Sequence, residues 1–251
     1  MRIILQGCNG KMGKAITELV AEKGMEIVAG IDRNLESACR YPVYESLECC
    51  PIEGDVVVDF SSADGTQELL KYCVIRKTPL VLCTTGLEAK QIEMIEEASK
   101  NIPILYSANM SLGVNLLGEI LEEVVIKLLP RGFDVEILEK HHRKKQDAPS
   151  GTALFFANCI NEALEYKYIY IYNRNNSQKR REKNEIGIAS IRGGTITGEH
   201  EIIFAGEDEV VTFSHTAYSR HVFAKGALEA AEFLVGKPSG LYCMKDVMKG
   251  L

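Results

Sequence analysis

The sequence predicts an α/β protein: a doubly wound parallel sheet first, then a smaller α+β unit with a mixed sheet. Three observations carry that expectation. Short, β-branched-rich runs alternate with helix-spaced stretches through the first 110 residues. A turn spaced by Gly7, Gly10 and Gly13 joins the first run to the first helical stretch. Beyond residue 184, strand-like runs follow one another with only turn residues between them.

The elements follow in order. "RIILQ" (2–6), "EIVAGI" (26–31), "DVVVDF" (55–60), "PLVLC" (79–83) and "IPILYS" (102–107) are the runs of strands buried on both faces. Residues 11–24 are spaced as a helix by Met12, Ile16, Leu19 and Val20, and further helices are expected over 65–77 and 88–100. A long amphipathic helix over 113–129 is expected to stop at Pro130. "FDVEILEKHH" (133–142) alternates as a strand with Phe133, Val135 and Ile137 inward, and a helix follows Pro149. Residues 166–184, tyrosine-rich and then basic, read as an exposed loop. "IGIASIRGG", "TITGEHEIIFAG" and "EVVTFSHTAYS" read as three successive strands, and an Ala-rich helix near 220–235 packs back on the first domain. The expected domains are 1–110, completed by 221–251, and 111–220.

Composition bounds the function. With 251 residues the chain holds one large domain or two modest ones. A net charge of -6 argues against broad nucleic-acid binding. The N-terminal run "MRIIL" breaks at Gln6 and Gly7, too short for a signal peptide, and no stretch is apolar enough to span a membrane. Eight scattered cysteines then read as reduced, buried thiols of a cytoplasmic protein, and without a CxxC no zinc or other metal site is expected.

"GCNGKMG" lies between a strand and a helix. Glycines there let the backbone turn tightly against a pyrophosphate, while the helix N-terminus offers unpaired N–H groups to its charge. Asp32, at the end of the second strand, is where an acid bonds adenosine ribose hydroxyls, and Arg33 is placed to pair a 2′-phosphate. NADH and NADPH both stay open. Lys11 fits a phosphate contact or a plain surface lysine equally. The loops 59–66, 83–86 and 107–113 also follow strands and suit the nicotinamide half.

"EKHHRKKQDAPSGTAL" (139–154) concentrates cations in an acidic protein. His141 and His142 stand near a strand end, where successive side chains face opposite ways and so do different jobs. Lys145 follows, and Ser150, Gly151 and Thr152 sit at a helix start whose N–H groups and hydroxyls make a cradle for a carboxylate. Ser150 also suits a plain helix cap. The two histidines have no partner at metal-ligand spacing, and their basic neighbours repel a cation.

The stretch "HHRKKQDAPSGTA" resembles the signature of bacterial dihydrodipicolinate reductases, and "GCNGKMG", "DFS", "TTG", "GVN", "GEH" and "MKDV" extend the resemblance along the chain. It implies a Rossmann-like first domain, a substrate domain through which a homotetramer assembles, and NAD(P)H-dependent reduction of a small cyclic dicarboxylate. Carried over by residue, it implies that His141 is the proton donor or acceptor and Lys145 a proton donor or substrate anchor. His142, Gly151, Thr152 and Arg220 contact substrate, with Ser150 beside them. Gly7, Cys8, Asn9, Gly10, Lys11, Met12, Asp32, Cys83, Thr84, Thr85, Ser107, Ala108, Asn109 and Met110 match cofactor segments. Cys83 and Ala63 depart from the glycine and proline usual there, and Cys83 is expected to tighten the approach to the nicotinamide.

Overall fold

The computed structural model describes residues 1–35, 39–174 and 179–250, which divide into two units. Met1–Leu112 and Arg220–Leu251 form the first, Gly113–Ser219 the second. The sequence reading sets its boundaries at 110/111 and 220/221 instead.

In chain order the first unit opens with β1 (Arg2–Gln6), α1 (Lys11–Leu19), β2 (Glu26–Ile31), β3 (Val43–Tyr44), β4 (Val56–Asp59), α2 (Thr66–Arg76), β5 (Leu80–Leu82), α3 (Ala89–Ser99) and β6 (Pro103–Tyr106). The second unit carries α4 (Leu112–Leu128), whose first residue is still counted with the first unit, then β7 (Asp134–His141), α5 (Gly151–Ala163), β8 (Ile169–Tyr172), β9 (Glu185–Arg192), β10 (Glu199–Ala205) and β11 (Val210–Thr216). The chain then returns to the first unit with α6 (His221–Leu234), β12 (Gly240–Tyr242) and α7 (Met244–Lys249).

The first sheet has seven parallel strands in the order β12-β6-β5-β4-β1-β2-β3. The strand period of two sends alternate residues to opposite faces. Ile3 and Leu5 join Val58, Val81 and Leu105 against α1 and α6, while Ile4 joins Val57, Leu80, Leu82 and Ile104 against α2 and α3. Both faces are covered, so the strand sequences are apolar throughout. The small residues of α6 let it lie close: a Cβ at Gly226 would overlap the carbonyl of Met110.

The second sheet, β11-β10-β7-β9-β8, is mixed, parallel across β7–β9 and β8–β9 and antiparallel elsewhere. One face holds Val135, Ile137, Ile188, Ile202 and Phe204, packed on Leu117, Leu121 and Val125 of α4 and Phe156 and Ile160 of α5. At about 1.5–3 kcal/mol per fully buried large side chain, this core is what holds β7 in place.

The α/β class stands, with three local corrections. The long helix α4 ends at Leu128, next to Pro130 as expected, and the 3₁₀ turn Leu129–Arg131, which tolerates the proline in its first turn, closes at Gly132 in the left-handed region (φ 89°). The stretch 166–184 is not all loop: Ile169–Tyr172 is an edge strand beside β9, a role that suits alternating Ile and Tyr. Its residues 175–178 lie outside those described. Arg174 and Arg181, flanking them, bond Glu136, Asp134 and Glu185. Finally, the short strands β3 and β12 and the short helix α7 add elements too brief for a periodic signal, and Cys49 and Cys243 are exposed rather than buried. Among the described residues no helix is long and apolar enough to cross a membrane.

Candidate active site

Two groups of predicted residues emerge, one on each unit. On the first, the carboxyl ends of β6, β5, β4, β1 and β2 stand in one row, the edge where parallel sheets take ligands. The turn after β1 is built by glycine. Gly7 has φ 77°, and a Cβ there would come within 2.6 Å of the Phe60 carbonyl oxygen. A Cβ at Gly13 would overlap the carbonyls of Gly7 and Cys8. Gly10 is the N-cap of α1 and has no side chain to occupy the first-turn N–H groups, and that turn carries no acid.

A cleft of about 580 Å³ opens over this turn, lined among others by Gly7, Gly10, Asp32, Arg33, Ser61 and Glu48. Asp32 holds the cleft's rim. Its carboxylate accepts from the Asn9 N–H (3.0 Å) and the Asn34 N–H (3.0 Å), and Asn9 in turn donates to the Asn34 carbonyl (2.5 Å). Lys11 and Arg33 are exposed, and Met12 packs partly on the core.

Further along the row, Asp59 at the end of β4 is buried. It accepts from Thr84 Oγ1 (2.6 Å) and from the hydroxyl (2.5 Å) and N–H (3.1 Å) of Ser61, tying the loops after β4 and β5 together. Burial pushes the Asp59 carboxyl up, against these hydrogen bonds. Thr85 and Ala108 are exposed; Ser107 donates to the Asn109 carbonyl (2.8 Å), and Asn109 Oδ1 accepts from the Ser111 N–H (2.9 Å). The side chains of Cys8, Cys83 and Met110 instead lie in the core. Cys83 therefore does not crowd the cofactor edge as the sequence reading expects, because its side chain turns inward among Val58, Val81 and Leu105. Burial pushes its thiol well above the ordinary range, and the Cys8 thiol to about 12, so neither is an activated nucleophile.

On the second unit, three neighbouring strands bring a polar rank to the end of the otherwise apolar face. His200 on β10 pairs with Glu139 on β7, and His141 on β7 pairs with Arg192 on β9. The alternation that buries Val135 and Ile137 also buries Glu139 and His141. Glu139 Oε2 lies 2.6 Å from His141 Nδ1 and accepts from an Arg192 Nη (2.7 Å). Its Oε1 accepts from the other Arg192 Nη (2.6 Å) and from the Ser150 N–H (3.1 Å). Burial alone would raise the Glu139 carboxyl, but the bonds from Arg192, His141 and Ser190 hold it down to about 2.

Ser150 caps α5. Its Oγ accepts from the Ala153 N–H (3.1 Å) and lies 2.8 Å from His200 Nε2, while Gly151 is exposed and Thr152 half-buried just beyond. The hydroxyl thus serves the helix and a histidine rather than standing open to a guest. The His141 and His200 rings meet edge to face, 5.2 Å between centroids. Lys145 pairs with Asp147 (2.9 Å), and His142 leaves the strand just after His141, its Nδ1 buried with no hydrogen-bond partner among the described residues. Arg220 belongs to the first unit, where it is exposed at the start of α6, whereas the polar rank is built wholly from second-unit residues. No grouping of acids, histidines and cysteines among the described residues suits a metal ion.

Sequence reasoning missed Glu139, Arg192 and His200. The signal for Glu139 was present: it sits on the inward phase of β7, two residues before His141, where a carboxylate needs a partner.

The buried histidines carry a pH consequence. Burial pushes His141 down despite Glu139, and pushes His200 down to about 3, the nearby His141 adding to it. The unfolded chain then binds more protons than the folded one between the ordinary histidine value and about 3, so stability must fall as pH falls through that window. Unfolding free energy measured in urea is expected to drop on the order of 2–3 kcal/mol between pH 7 and 4.5. A flat profile would contradict a neutral, buried His200.

The comparisons with known proteins agree with one another. Residues 1–110 match the family model for the N-terminus of dihydrodipicolinate reductase and residues 113–248 the model for its C-terminus. The 4-hydroxy-tetrahydrodipicolinate reductase of Clostridium novyi is 49% identical over 249 residues, covering 99% of this chain and 98% of that one. That of Caldanaerobacter subterraneus is 51% identical over 250 residues, with the same coverage. Among solved structures, a dipicolinate-bound dihydrodipicolinate reductase from Paenisporosarcina superposes with a TM-score of 0.80 at 25% identity, over 97% of each chain.

Proposed function

The chain belongs to the dihydrodipicolinate reductase family, and from that premise we propose how its two units divide the work. It is an oxidoreductase of lysine and diaminopimelate biosynthesis that reduces 4-hydroxy-tetrahydrodipicolinate. In the proposal the first unit holds a reduced nicotinamide dinucleotide and the second binds the cyclic dicarboxylate and assembles a cytoplasmic homotetramer.

The residues of the first unit fit the dinucleotide. The Gly7–Gly10–Gly13 turn packs too tightly for side chains at Gly7 and Gly13, which leaves its backbone bare, and the N-terminus of α1 beside it carries no capping side chain. Asp32 suits the ribose hydroxyls of NADH and the exposed Arg33 a 2′-phosphate, so both NADH and NADPH are accepted. The dinucleotide supplies hydride when bound.

The observation that carries the mechanism is His141: buried, bonded through Nδ1, and beside the cationic Lys145 and Arg192. Reduction of dihydrodipicolinate, the dehydrated form of the substrate, adds hydride to a ring carbon conjugated to an imine. The displaced electron pair moves to the neighbouring carbon, which takes a proton from His141 and gives tetrahydrodipicolinate. The two substrate carboxylates account for Lys145, His142 and the α5 N-terminus at Gly151–Thr152. They also raise His141, which burial otherwise keeps neutral, and so load it with the proton it delivers. Lys145 anchors a carboxylate or shares the protonation. A solved relative described as dipicolinate-bound supports a planar dicarboxylate as guest.

The test is loss of reduced-nicotinamide absorbance when the protein is mixed with NADH or NADPH and the product of dihydrodipicolinate synthase. Loss with both cofactors is expected. No loss with either would refute the reading.

A further inference from the structure

We propose that Glu139, clamped by Arg192, is a positioning residue that fixes the tautomer and aim of His141, and that glycine at 198 keeps the working nitrogen open. The inference rests on His141 as the proton-transfer group. Glu139 accepts at both oxygens, from Arg192 twice, from the Ser150 N–H and from His141. So many donors demand the ionised form, which can only accept. Nδ1 of His141 must therefore carry the hydrogen, and Nε2 alone is left to exchange a proton.

Space around Nε2 supports the same assignment. A Cβ at Gly198 would lie 3.1 Å from Nε2 and 3.5 Å from Cδ2 of His141. Gly198 does not have the positive φ that would itself require glycine, so the missing side chain serves room rather than backbone freedom. Arg192 has a second effect. By sharing the carboxylate it lets Glu139 orient the ring without making it a permanent imidazolium. The titratable groups facing His141 are Glu139 on β7, Arg192 on β9, Lys145 in the loop after β7 and His200 on β10, while the neutral Ser150, N-cap of α5, bonds Glu139.

Three full-length variants and one spectrum test this. In ¹⁵N NMR of histidine-labelled protein, the resonance missing from His141→Gln identifies His141 among the five histidines. It is expected to show a protonated Nδ1 and a bare Nε2. Glu139→Gln is expected to lower kcat about 10–100-fold, the range for loss of a carboxylate behind a functional histidine. KM should stay nearly unchanged, the alkaline limb of the kcat profile should move to lower pH, and the tautomer signature should be lost. Gly198→Ala is expected to lower kcat with the wild-type tautomer intact. A wild-type Nε2–H tautomer would overturn the proposal, as would a Glu139→Gln enzyme with wild-type kcat and an unmoved limb. If Glu139→Gln fails to fold, the wild-type tautomer and Gly198→Ala still decide. Full turnover in His141→Gln would instead overturn the underlying role of His141.

Discussion

Replacing His141 by glutamine is expected to cut turnover by about 10²–10⁴-fold, the worth of a positioned general acid or base, while leaving the affinity for reduced nicotinamide unchanged. Glutamine approximates the reach of the imidazole and still offers Glu139 an N–H, so the Glu139–Arg192 pair is not left with an unpaired buried charge. What it lacks is a group that exchanges a proton near neutral pH. Steady-state kinetics on the synthase product, alongside fluorescence titration with NADH, separates the two quantities. Equal turnover in wild type and variant would remove His141 from the chemistry. A matched loss of cofactor affinity would mean that the substitution damages the fold.

The sequence made some of this arrangement legible and hid the rest for physical reasons. The parallel sheet was readable because both of its faces are buried, which leaves runs such as "DVVVDF" apolar along their length. The glycine turn was readable because its geometry excludes side chains at Gly7 and Gly13. His141 stood out because charge clusters are conspicuous in a chain's local composition. Arg192 and His200 were not legible in the same way. They lie 51 and 59 positions from His141 in the chain (192 − 141 and 200 − 141), and only the pairing of β7 with β9 and β10 brings them to it. Ser150 shows a subtler limit. Local sequence gave its place at a helix start, but not that its hydroxyl is already engaged by Ala153 and His200. Cys83 misled because a residue's place beside a functional loop does not fix the direction of its side chain. One residue past the end of β5, Cys83 keeps the phase of Val81 and turns into the core.

The glycine turn yields the second large effect. A Cβ at Gly13 would overlap the Gly7 and Cys8 carbonyls, which are backbone atoms with no rotamer to yield. The Gly7 carbonyl also accepts the Gly10 N–H (3.1 Å), the bond that closes the turn onto α1. Gly13→Ala must therefore push the turn away from the helix start and misalign the N–H groups that would meet a pyrophosphate. The expected result is at least about a 10²-fold loss of NADH affinity, together with about 1–3 kcal/mol of destabilisation of the first unit from overpacking. Lost affinity alone could reflect lost stability, so the informative comparison is Gly24→Ala. Gly24 has a positive φ (64°), unlike the helical Gly13, but a Cβ there would meet nothing within 4 Å, and it lies at the far end of the same helical segment. That variant is expected to lose a comparable stability, about 1–2 kcal/mol, through backbone strain instead of overpacking, with unchanged NADH affinity. Fluorescence titration and urea unfolding on both proteins distinguish the cases. If Gly13→Ala binds NADH as wild type does, the turn is a structural corner and the dinucleotide is held elsewhere on the strand-end row; if both variants lose affinity alike, the loss follows stability and not the shape of the cradle.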